Sequence, residues 1–119
     1  MAAPYRLTVR RGSKVRRERF DELDAALEAL EREMRALAQT ERRGTVDLRY
    51  REFEPVAQVA ARAEVSGPGR LRAGVDLRGD GSAEAFVGRL RRRVVEPRKR
   101  ESPYDALRRA LRQRTSAGP

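Results

Sequence analysis

Gly79-Asp80-Gly81-Ser82 lies between two segments in which apolar and polar residues alternate. Asp-Gly in that setting is the strongest short-range signal for a β-hairpin. A hairpin of known register fixes the face of every flanking side chain, because a slip of one residue inverts a strand. A two-residue turn at Asp80-Gly81 predicts Val75 opposite Phe86 and Leu71 opposite Leu90, with Phe86 and Leu90 directed into a core. The same register sets Arg72 opposite Arg89 and Arg70 opposite Arg91 on the other face. Arg49, Arg51, Arg62 and Arg93 fall on that face by parity. Like charges directly opposed destabilise a sheet by about as much as a favourable pair stabilises it, ~0.2–1 kcal/mol. Glu64 on the preceding strand is expected to reach one of these arginines, and one carboxylate does not neutralise four guanidinium groups.

The remaining elements follow from periodicity and punctuation. Tyr5 to Val9 alternates as a strand, Gly12-Ser13 suits a type II′ turn, and Val15 to Phe20 returns as a very basic second strand. Asp21 is expected to cap a helix over 22–42, with Phe20 as the staple residue. Leu23, Ala26, Leu27, Leu30, Met34, Leu37 and Ala38 form its apolar stripe, and Gly44 supplies its stop. Period two then predicts strands over 45–51, 59–65, 71–78 and 82–95, with a turn at Ser66-Gly67-Pro68-Gly69. Ser102-Pro103 opens a second helix, Ser at the cap and Pro at the first helical position. The expected fold is therefore α+β: an antiparallel β-sheet in the order ββα-ββββα, two helices packed on one face and an arginine-rich opposite face. Residues 1–114 are expected to form a single domain, with 115–119 as a frayed tail.

Charge directs the functional reading. Of 119 residues, 26 are arginine and two are lysine, while histidine and cysteine are absent, leaving a formal net charge of +10. Genome composition accounts for Arg in place of Lys, but not for 28 basic against 18 acidic residues. The planar, always-charged guanidinium suits phosphate and carboxylate recognition. Charge is also segregated: residues 1–20 carry +6 and 97–119 carry +5, whereas 21–43 carry −3. Separated patches of this kind build a steering field for a polyanion.

The expected function is sequence-nonspecific nucleic-acid binding, the DNA or RNA phosphate backbone lying on Arg49, Arg51, Arg62, Arg70, Arg72, Arg89, Arg91 and Arg93. Arg98, Lys99 and Arg100, in the loop before the second helix, add contacts. The rival is a protein-interaction module, forming a homodimer or docking on an acidic protein. Tyr5, Phe20, Tyr50, Phe86 and Tyr104 fall in core phase or at a helix junction, and Phe53 alone is out of phase. So few free aromatics favour backbone over base recognition. Arg78-Gly79-Asp80 spells an adhesion tripeptide by chance, and the acids around it do not make a calcium loop. No nucleophile–base pair or phosphate-binding fingerprint is present, so no enzyme, metal, cofactor or small-molecule substrate is expected. The cysteine-free chain, with no apolar run long enough to insert in a membrane, suits the cytoplasm.

Overall fold

The computed structural model describes residues 3–47 and 59–117. It is an α+β fold: a six-stranded antiparallel sheet and two helices in the order ββα-ββββα. The elements are β1 (Tyr5–Arg11), β2 (Lys14–Phe20), α1 (Leu23–Asp47), β3 (Val59–Gly67), β4 (Leu71–Arg78), β5 (Ala83–Val87), β6 (Arg93–Val95) and α2 (Pro103–Ala117). The strands lie in the order β2-β1-β3-β4-β5-β6.

Alternation builds the core. Leu7 and Val9 of β1, Ala61, Ala63 and Val65 of β3, and Leu71, Ala73, Val75 and Leu77 of β4 are all buried on one face. Onto them pack Leu27, Leu30 and Met34 from α1 and Tyr104, Leu107 and Leu111 from α2. Leu37 is only partly buried against this core. α1 covers the β1–β3–β4 half of the sheet and α2 the β4–β5–β6 half. The helices are tied together by Arg108 Nη1 donating to Glu31 at 2.7 Å, and by the Arg35 guanidinium 4.9 Å over the Tyr104 ring. No helix among the described residues is long and apolar enough to cross a membrane.

The β1–β2 hairpin closes as the sequence predicts. Arg11 pairs with Lys14 around Gly12-Ser13, and Gly12 takes φ +59°. α2 begins as predicted too: Ser102 Oγ accepts the Asp105 N–H at 3.0 Å, and its carbonyl accepts that of Ala106.

The Asp80-Gly81 hairpin forms, but one residue out of the expected register. Val75 pairs with Ala85, Gly74 with Phe86 and Ala73 with Val87. The loop holds three residues, not two: Gly81 N–H bonds the Arg78 carbonyl, and Arg78 N–H bonds that of Ser82. A two-residue type I′ turn needs positive φ at both central positions, and only Gly81, at +90°, has it. Asp80 instead accepts the N–H and hydroxyl of Ser82, at 2.9 and 2.6 Å. The slip inverts β5. Ala83, Ala85 and Val87 face the core, and Phe86 lies on the face away from the helices, hereafter the open face. There it packs over Gly74, the cross-strand pairing by which an aromatic covers the gap left by a glycine.

Other expectations are also corrected. The strand predicted over 82–95 is two strands, β5 and β6, joined by a loop at 88–92 whose tip carries Leu90, 94% exposed. Gly88, at φ +116°, turns the chain out of β5. α1 runs through Gly44 to Asp47, since one helical glycine costs only ~1 kcal/mol. The strand expected over 45–51 is therefore helical in its first three residues and otherwise lies outside the described residues. Asp21 does not cap α1; its carboxylate accepts the Ala3 N–H at 2.7 Å, and the Glu22 carbonyl starts the helix. The tail expected from 115 is helical as far as Ala117.

An acid-sensitive tie anchors α2. Glu101 accepts hydrogen bonds from Arg109 and from the Arg98 N–H, which hold its carboxyl at about 2. A carboxyl depressed in the folded state stabilises the fold above its ordinary range, and that contribution fades as pH falls towards 2. Glu101→Gln is expected to flatten the loss of thermal stability across this acid window, as followed by circular dichroism. An unchanged acid slope would contradict the tie.

Candidate anion-binding interface

The open face is the layer of side chains between the core positions of each strand. Reading across the strands, it forms three rows. One holds Val15, Arg10, Arg62, Asp76 and Glu84; the next Arg17, Thr8, Glu64, Gly74, Phe86 and Val94; the third Arg19, Arg6, Ser66 and Arg72.

The centre of this face is an ion-pair network, not the unbalanced arginine surface expected. Arg62 is bidentate on Asp76, with Nη2–Oδ2 at 3.0 Å. Those bonds raise the Arg62 pKa above its ordinary value against the cost of burial. Arg72 reaches Glu64 at 3.3 Å, Arg92 reaches the same carboxylate at 3.7 Å, and Arg78 reaches Glu84 at 2.9 Å. Glu64 thus does what the sequence predicts, and Asp76 and Glu84 share the task. Arg62 and Arg92 also flank the Phe86 ring, 5.6 and 4.7 Å from its centroid. The half-buried side chains and shared acids make this region a lid of paired charge over one aromatic.

The expected oppositions of Arg72 with Arg89 and Arg70 with Arg91 do not form. Arg72 meets the backbone of Gly88, whose N–H its carbonyl accepts at 2.9 Å, and Arg89 and Arg91 lie in the β5–β6 loop. Arg93 pairs across from Val87, so it belongs to the opposite parity from Arg62. These residues nevertheless come together. Arg70 in the β3–β4 turn, Arg72, Arg89, Arg91 and Arg93 line a hollow of about 440 Å³ with Val87 and Gly88. No carboxylate lines it among the described residues, and Arg70, Arg89, Arg91 and Arg93 have no ion pair there.

A second unbalanced group was legible from the alternation in β1 and β2 but is absent from the predicted set. Arg6, Arg10, Arg17 and Arg19 lie on the open face, and Arg6 is directly opposite Arg19. That like-charge pair has no carboxylate partner among the described residues, a placement unfavourable to the sheet itself. Arg19, Arg6 and Arg72 share one row across four adjacent strands, about 14 Å at the usual strand spacing. The row ends at the hollow. Of the other predicted site residues, Arg98, Lys99 and Arg100 are exposed in the loop before α2, and Arg49 and Arg51 lie outside the described residues.

No metal-binding group of His, Cys, Asp or Glu occurs among the described residues. Compared with known protein families, with curated proteins and with solved structures, the chain matches none.

Proposed function

We propose that this protein binds nucleic acid without sequence preference, by phosphate contacts from the hollow and the arginine row that leads to it. One observation carries the reading: the acids of the open face are spent on its central arginines, which leaves the arginines at one end unopposed. Guanidinium groups in that state are the ones free to replace counterions on a phosphate backbone. A cytoplasmic setting fits the cysteine-free composition. Titrating a fluorescent duplex by anisotropy, from about 50 to about 200 mM salt, is expected to show affinity falling with a log–log slope near 0.9 per phosphate bound. Absence of binding at the lower salt, to the duplex and to a single strand of equal length alike, would overturn the proposal.

A second reading has its own observation. β2 is an open sheet edge whose residues are all exposed apart from Phe20. Lys14, Arg16, Arg17 and Arg19 along it oppose pairing with a second copy and suit an extended acidic segment of another protein. Competition separates the two. Polyglutamate that displaces the duplex at equal charge concentration would favour docking on an acidic protein; duplex retained against it favours phosphate recognition.

A further inference from the structure

Phe86 is an aromatic ring on the open face of a basic sheet, with two guanidinium groups set against it. Its inner side rests on Gly74, where an added Cβ would come within 2.8 Å of the ring tip. Its outer side is covered by Arg62 and Arg92, and the residue is 3% exposed. The two covers are held differently. Arg62 is fixed by the bidentate bond to Asp76. Arg92 comes from the 88–92 loop, its side chain is 39% exposed, and its one carboxylate contact among the described residues is the 3.7 Å approach to Glu64. A planar cation stacked on a ring occupies the place that a planar base would take.

We infer that Phe86 is a stacking site for one unpaired nucleobase, uncovered when Arg92 swings away. This inference deepens the phosphate-binding reading and rests on it. Arg72 connects the two features: it lines the hollow and shares Glu64 with Arg92. A strand whose base stacks on Phe86 can therefore lay its neighbouring phosphate in the hollow, where Arg92 itself becomes a further phosphate ligand once released. Bases in a duplex are already stacked and cannot reach the ring, so the ligand class is single-stranded nucleic acid.

The test compares oligothymidylate and oligouridylate with a duplex of equal length, using unmodified protein carrying ¹³C-labelled phenylalanine. On addition of either single strand the Phe86 ring resonances are expected to move upfield, and the duplex is expected to leave them in place. Phe86→Leu is expected to weaken single-strand binding roughly 5- to 140-fold, the range of one base–aromatic stack, and duplex binding less than about twofold. If the variant fails to fold, the ring resonances of the unmodified protein decide alone. Single strands that bind without moving those resonances would overturn the inference and leave phosphate binding standing, as would a duplex that binds when single strands do not. Binding of neither would overturn both. A response to only one of the two homopolymers identifies DNA or RNA as the source of the base.

Discussion

Gly74→Ala is expected to destabilise the fold by at least the upper end of the ~1–3 kcal/mol that overpacking ordinarily costs. The new methyl would fall well inside van der Waals contact distance of the Ala63 carbonyl oxygen, 3.1 Å from the Glu64 Cα and 2.8 Å from the Phe86 ring. The first two atoms are backbone of the neighbouring strand and cannot rotate aside. Relief requires β3 and β4 to separate at the row that carries Glu64 and Phe86, which would also disturb the ion pairs around it. Chemical denaturation measures the cost. A loss under about 0.5 kcal/mol would contradict the close approach of β3 to β4 at Gly74, because both backbone contacts come from β3.

Leu30→Ala tests the other side of the sheet. Leu30 is 1% exposed, between Leu27 and Met34 on the buried stripe of α1 and above β3 and β4. Truncating such a side chain removes its transfer free energy and leaves a cavity, together ~2–5 kcal/mol. Against a total stability of ~5–15 kcal/mol for a domain, that is enough to lower the melting temperature by many degrees. A loss below about 1 kcal/mol would show that α1 is held by something outside this chain, and would favour the protein-interaction reading.

The α+β class and element order were legible because apolar residues recur with clear periods and because Gly12-Ser13 and Ser102-Pro103 have one favourable local use each. The Asp80-Gly81 turn does not. Two-residue and three-residue loops both accept Asp-Gly, and the choice depends on the Asp80–Ser82 hydrogen bonds and on small Ala85 rather than Phe86 fitting beneath α2. Alternation also continues through Gly88 to Val95, so nothing in the pattern marks the loop that holds Arg89 and Arg91. Gly44 reads as a stop, yet the helix runs past it to Asp47. The candidate site was therefore legible by residue type and not by position. Arg70, Arg72, Arg89, Arg91 and Arg93 do meet, at the end of the sheet and not across its face. Arg92 and Phe86 were missed because both depend on the hairpin register.

The claim that unopposed arginines, and not net charge, bind the polyanion is tested by two double variants of equal charge. Arg89→Gln with Arg91→Gln removes two guanidinium groups that lack carboxylate partners among the described residues. Arg62→Gln with Arg78→Gln removes two that are paired to Asp76 and Glu84. The measurement is the slope of log affinity for a duplex against log salt, in both variants and the unmodified protein. The first pair is expected to flatten the slope by about 0.9 for each phosphate no longer neutralised, and the second to leave it close to that of the unmodified protein. Equal flattening by both pairs would contradict the account, because it would show that net charge alone governs binding.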